Sequence, residues 1–182
     1  MRKIVTGLFM SLDGVVESPT SWASPYFNDE LFDWIGAGLP EADAIVLGRR
    51  TYLEFAELWP SQGSSSPMAA FLNNTPKYIV SSTLGTLDWG PASRVRGELA
   101  EELGKLKQQP GKNIQVPGSP TLVRSLLREG LLDELSIAIC PLVVGSGMRL
   151  FDDLPEQVRL KLVESSALST GVLAATYQPP TA

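Results

Sequence analysis

Short apolar runs alternate along the chain with segments of helical periodicity. Lys3–Met10, Ala44–Leu47, Tyr78–Ser81, Asn113–Val116 and Glu134–Cys140 are apolar and β-branched, the mark of strands. The runs at 44 and 78 do not alternate between apolar and polar, as expected of strands buried on both faces of a parallel sheet. Helices are predicted between them. Asn28–Ile35 puts Leu31, Phe32 and Ile35 on one face, and Thr51–Leu58 carries Phe55 and Leu58. Arg94–Gln108 aligns Val95, Leu99, Leu103 and Leu106 and stops at Pro110-Gly111. Ser119-Pro120 reads as N-cap and first residue of a helix over Thr121–Glu129, with Gly130 as its stop. Toward the C-terminus Val158, Leu160 and Leu162 alternate, Ser169-Thr170-Gly171 can turn, and Val172–Tyr177 can return as a β-hairpin. Gly63-Ser64-Ser65-Ser66-Pro67 reads as a surface loop. Strand and helix in alternation, closed by antiparallel strands, predict an α/β fold on a mixed, mainly parallel sheet, in one domain over residues 1–182.

Composition narrows the chemistry. With 43% apolar and 19% charged residues in 182, the chain can bury a real core. Its formal net charge of −5 argues against a nucleic-acid or anionic-membrane surface, while leaving room for a local basic pocket. No apolar run approaches the roughly 20 residues that cross a bilayer. The single cysteine, Cys140, forbids an intrachain disulfide, fits a reducing cytoplasmic setting and lies in an apolar run as a buried thiol. There is no histidine. Ser-His-Asp and Cys-His catalysis and the usual His-bearing zinc sites are therefore excluded, and no metal site is expected. Proton transfer falls to a carboxylate, tyrosine, lysine or water.

Two strand-to-helix turns stand out. In Ile45-Val46-Leu47-Gly48-Arg49-Arg50-Thr51 a buried strand ends at a glycine, two arginines follow and a helix begins. Free N–H groups at the helix start and two guanidinium groups suit a phosphate; a glycine turn with two solvated arginines fits the residues equally. In Val116-Pro117-Gly118-Ser119-Pro120-Thr121 a glycine would let backbone approach a pyrophosphate, although an ordinary N-cap explains the same residues. Gly145-Ser146-Gly147-Met148-Arg149-Leu150 lacks the third glycine of a dinucleotide fingerprint.

At these turns a family resemblance emerges. Leu47-Gly48-Arg49-Arg50-Thr51-Tyr52 resembles the Gly-Arg-x-Thr-Trp segment of dihydrofolate reductases, and Tyr78–Ser82 the strand after it. Ser11-Leu12-Asp13-Gly14, Gly130–Leu135 and Pro141–Phe151 resemble the stand-alone relatives of the reductase domain of bifunctional riboflavin-biosynthesis proteins, in matching order from about residue 3 to 177. The resemblance implies a dihydrofolate-reductase-like fold, three layers with helices on both faces of the sheet, and NADPH as cofactor. Arg49, Arg50 and Thr51, with Gly48, would hold its 2′-phosphate and pyrophosphate. Ser81, Ser82 and Thr83 would lie along the adenosine. Val116, Gly118, Ser119, Thr121 and Leu122 would meet the pyrophosphate and neighbouring ribose, with Gly145 in the loop beside the nicotinamide. The zinc deaminase half of the bifunctional proteins is absent, and the loop Val15-Val16-Glu17-Ser18-Pro19 departs from their sugar-phosphate pattern.

Two carboxylates are candidates for catalysis. Asp33 lies 15 residues before Gly48, where dihydrofolate reductases carry their carboxylate, though it also fits a solvated helix face. Asp13 closes the first strand beside the expected cleft, where an Asp-Gly turn is also ordinary. Trp22, Tyr26, Phe27 and Trp34 could wall a heterocycle, whereas Trp59 and Trp89 read as peripheral. The expectation is an NADPH-dependent oxidoreductase acting on CH–NH or CH–OH donors, transferring hydride to a small pterin- or pyrimidine-like heterocycle or a conjugated carbonyl. A non-catalytic nucleotide-binding sensor or sequestering protein, and a 5-amino-6-(5-phosphoribosylamino)uracil reductase, are the competing readings. A small-molecule substrate, no nucleic acid, no membrane and a homodimer complete it.

Overall fold

A computed structural model describes residues 1–152, 154 and 156–180; the last two residues of the domain expected over 1–182 lie outside them. Strands β1 (Ile4–Ser11), β2 (Ala42–Gly48), β3 (Lys77–Val80), β4 (Ala92–Val95), β5 (Asn113–Pro117), β6 (Glu134–Cys140), β7 (Lys161–Ala167) and β8 (Leu173–Gln178) form one sheet in the order β4-β3-β2-β5-β1-β6-β8-β7. The six strands from β4 to β6 are mutually parallel, and β8 and β7 join antiparallel. Parallel neighbours need crossovers; α1 (Asp29–Gly36), α2 (Arg49–Leu58), α3 (Pro67–Asn74), α4 (Leu99–Gln108) and α5 (Pro120–Arg128) lie in them, while β3 passes to β4 through the helix-free loop 81–91.

The strand residues alternate between two helical layers. Ile4, Leu8, Val46, Ile114, Val116, Leu135 and Ile137 meet α4 and α5 through Leu103, Leu106, Val123 and Leu126 in the main core. The opposite face is covered in two separate blocks. Phe9, Ala138, Cys140 and Ala174 pack under Leu31, Trp34 and Ile35 of α1. Ile45, Leu47 and Ile79 pack under Tyr52 and Phe55 of α2 and Leu72 of α3. The fold is three-layered α/β with a dihydrofolate-reductase-like sheet, as the motif order implied. No helix among the described residues is long and apolar enough to cross a membrane.

Three element expectations need correction. Residues 94–108 do not form one helix: Val95, β-branched, pairs with Val80 in β4, Gly97 turns the chain at φ +112°, and α4 starts only at Leu99. Helix α3 was not expected after the serine-rich loop, although Ser66-Pro67 is its cap and first residue, with Ser66 accepting from the N–H of Ala69 at 3.1 Å. The edge strand β7 runs over Lys161–Ala167, so Val158 and Leu160 fall before it. Trp89 is buried at 4% exposure, its indole N–H on Asn73 at 2.8 Å, and so belongs to the core and not to the periphery.

Candidate functional site

The carboxyl ends of β2, β5 and β1 are adjacent although they are far apart in sequence, and this reversal of strand order opens a crevice there. Helix α2 starts directly at the end of β2, and α5 follows the end of β5 after the two-residue turn Gly118-Ser119. Neither N-terminus has a side-chain cap, which leaves the first-turn N–H groups of both helices with their partial positive charge directed into the crevice.

The two turns are clasped to each other. The N–H of Ser119 donates to Thr51 Oγ1 at 3.0 Å, and the N–H of Gly48 donates to Ser119 Oγ at 3.0 Å. The Ser119 hydroxyl therefore bonds the other turn and does not cap its own helix, and its backbone is left-handed at φ +54°. Gly118 precedes it at φ +62°, where a Cβ would stand 3.2 Å from Thr51 Cγ2; both conformation and space require glycine. Thr51 and Ser119 are buried, and Val116 and Leu122 are core side chains beneath the turn. Of the residues singled out at these turns, only the backbone, the arginines and Thr121 face outward.

Arg49 and Arg50 diverge. Arg49 donates to Thr83 Oγ1 at 2.8 Å, joining α2 to the Ser81-Ser82-Thr83 loop, which Ser81 Oγ braces by accepting from the N–H of Leu84 at 3.0 Å. Beside this loop lies an open pocket of about 620 Å³ lined by Val80, Ser81, Ser82, Arg94, Val95, Arg96, Gly97 and Leu99. Arg94 and Arg96 were missed in the sequence because Arg94–Gln108 read as one helix; the Ser-Arg-Val-Arg alternation at the end of a strand was the signal available. Arg50 turns the other way, to Glu17 at 2.8 Å and Glu54 at 3.0 Å, and these bonds raise its pKa. The Glu17 carboxyl is correspondingly held below the usual range, first by Arg50 and then by the N–H of Met148 at 3.1 Å.

Asp13 fastens the opposite side of the crevice. Its carboxylate accepts from Ser11 Oγ at 2.7 Å, the N–H of Val144 at 3.0 Å and the N–H of Gly145 at 2.9 Å. These bonds, the Ser11 hydroxyl foremost, lower its pKa to about 2. At neutral pH it is an anion that anchors the 141–150 loop on β1, and it has no proton to give. Gly145 turns at φ +87°, its N–H committed to Asp13. Asp33 is exposed on α1, two residues beyond the buried Leu31 and so on the side turned from the sheet. Trp22, Tyr26, Phe27 and Trp34 are half-buried against the α1 block; the Phe27 ring lies tilted at 5.3 Å from Phe9 and 5.7 Å from Phe32. Thr121 and Ser82 are exposed at the crevice rim.

Comparison with known proteins agrees with this geometry. Residues 2–174 match the family model of the RibD C-terminal domain, and the chain belongs to that family. It is 28% identical over 179 residues to YyaP of Bacillus subtilis (strain 168), an uncharacterized protein, across 97% of this chain and 94% of that one. A putative riboflavin biosynthesis protein from Shewanella sp. PV-4 shares the fold at TM-score 0.78 and 22% identity, with all of both chains covered. Dihydrofolate reductase from Enterococcus faecalis, solved in complex with NADP(H), shares it at TM-score 0.63 and 13% identity over 98% of this chain and 97% of that one.

Proposed function

We propose that this protein is an NADPH-dependent reductase of a small heterocyclic or conjugated carbonyl substrate. One observation carries the reading: two uncapped helix N-termini are clasped side by side through Thr51 and Ser119, flanked by Arg49 and by the Arg94–Arg96 pocket. That arrangement fits a pyrophosphate between the helix ends and a 2′-phosphorylated adenosine in the pocket, where Arg49, Arg94 and Arg96 would bear on the phosphomonoester and Ser81 and Ser82 on the ribose. The similarity to a dihydrofolate reductase solved with NADP(H) supports the same reading. NADPH, when bound, supplies the hydride. The chain supplies position: Asp13 holds the 141–150 loop, and Glu17 ties that loop to α2 through Arg50.

The reading is tested by titrating NADPH and NADH and following nicotinamide fluorescence. Arg49→Ala should weaken NADPH by about tenfold or more, in line with loss of one charge-assisted contact, and NADH much less. Equal losses, or no binding of either nucleotide by the parent protein, would refute it. The ionised Asp13 and the outward Asp33 favour a second reading, a nucleotide-binding protein without turnover; NADPH oxidation with a panel of pterins and pyrimidines decides between them. We further propose that two copies pair, since all seven residues of the edge strand β7 are exposed.

A further inference from the structure

The helical layer over one face of the sheet has a gap. Strand β1 sends Ile4 and Leu8 to the α4–α5 side, so Val5, Gly7 and Phe9 point the other way. Phe9 is covered by α1, and Ile45 and Leu47 of β2 are covered by α2 and α3. Between those blocks the register sets Gln115 beside Val5, Pro117 and Ser136 beside Gly7, and Thr176 beside Ser136. All six are only half-buried, although they lie on inner strands of the sheet. A Cβ built on Gly7 meets nothing within 4 Å. The middle of the sheet is thus the floor of a trough running from the crevice between α1 and α2.

We propose that this trough is the substrate site and that it takes a flat, hydrogen-bonding ring carrying no phosphate. The proposal rests on the reductase reading above and names its substrate class. Flatness follows from the floor: a glycine at its centre leaves open space over backbone. Ser136 and Thr176 present a hydroxyl pair at 3.0 Å, and Gln115 adds an amide; the charge beside them is anionic, the Glu134 carboxylate next to Val5, which accepts from Gln178 Nε2 at 3.1 Å, so the floor offers donors and acceptors and no cation. The cations of the flanking segments are already engaged, Arg49 by Thr83 and Arg50 by two carboxylates. No Lys or Arg occurs from Ile4 through Gly48, while α1 carries Asp29, Glu30 and Asp33; α2 beyond Arg50 adds Glu54 and Glu57. Arg149, across the mouth, is spent on the Asp13 carbonyl at 3.0 Å, and Arg50 on two carboxylates. A phosphate entering here would lose water without gaining a partner, a cost that excludes it relative to the bare ring.

The test compares two probes with the same ring, 5,6-diaminouracil and 5-amino-6-(5-phosphoribosylamino)uracil, by quenching of tryptophan fluorescence with and without saturating NADPH. The bare ring should bind at least about tenfold tighter, and Ser136→Val should weaken it by about fivefold or more with NADPH affinity unchanged, on the scale of one or two hydrogen bonds. Gln115→Lys should reverse the preference toward the phosphorylated probe. Tighter or equal binding of the phosphorylated probe by the parent protein, failure of both rings to bind, or indifference to Ser136→Val and Gln115→Lys in variants that still bind NADPH would overturn the proposal. If the bare ring binds as expected while NADPH does not bind at all, the cofactor reading fails and the trough assignment stands.

Discussion

Thr51 shows how one side chain can shape a binding crevice without facing it. Its hydroxyl accepts from the N–H of Ser119, 68 residues away, and both groups are buried. Thr51→Val keeps the shape and removes the acceptor. The orphaned N–H should cost about 1–3 kcal/mol of stability, read in urea unfolding, and loosen the alignment of the two helix ends so that NADPH weakens too. Thr51→Ser should restore most of both; a Val variant as stable as the parent would show that the clasp does not hold the turns. The residue types here were legible, since Gly48-Arg49-Arg50-Thr51 and Gly118-Ser119 stood out as phosphate-suited turns. Their mutual bonding was not. It depends on β2 lying beside β5, and nothing local in either segment states that adjacency.

At the level of elements, the α3–β3 corner is built round a buried lysine. Lys77, 1% exposed, donates to the carbonyls of Asn73 and Thr75 at the end of α3 and stands 4.4 Å from the Trp89 ring. The helix C-terminus and the indole face both favour a cation there, yet burial still lowers the lysine pKa from 10.5 to about 8. The unfolded chain binds the extra proton between those values, so stability should rise with pH from 8 upward. Cys140 opposes it: burial raises its thiol from 9.0 to about 11, and its contribution is lost as pH rises through that window. Urea midpoints should therefore climb from pH 7.5 to 9 and flatten above, and Lys77→Met should abolish the climb. A flat profile in the parent protein would show that Lys77 does not titrate there. This corner was illegible in sequence for a specific reason. Lys77 opens a short strand whose flanks are polar, and Trp89 lies in a glycine- and proline-bounded loop with no periodicity to mark it as core.

For the molecule as a whole, the sheet has two unlike edges. The β4 edge is short and borders the arginine-lined pocket, whereas the β7 edge is seven residues long with Leu162 and Val163 about half exposed on its two faces. The alternation that marks such a strand was visible at Leu160 and Leu162, but both faces of β7 are open, so hydrophobic pattern alone could not fix where the strand begins. An edge of that length presents unpaired backbone groups and apolar side chains that invite another strand. A stable pair needs roughly 1,200 Å² or more of total buried surface, more than one strand supplies, so contact must extend onto Leu173 of β8, itself 50% exposed. Light scattering should then give twice the chain mass of 19.7 kDa, and Leu162→Lys with Val163→Glu should give the chain mass itself. Because β7 lies at the opposite edge of the sheet from the Arg94–Arg96 pocket, the monomeric variant should still bind NADPH. A monomeric parent protein would refute the pairing, and a variant that stays dimeric would move the interface to another surface.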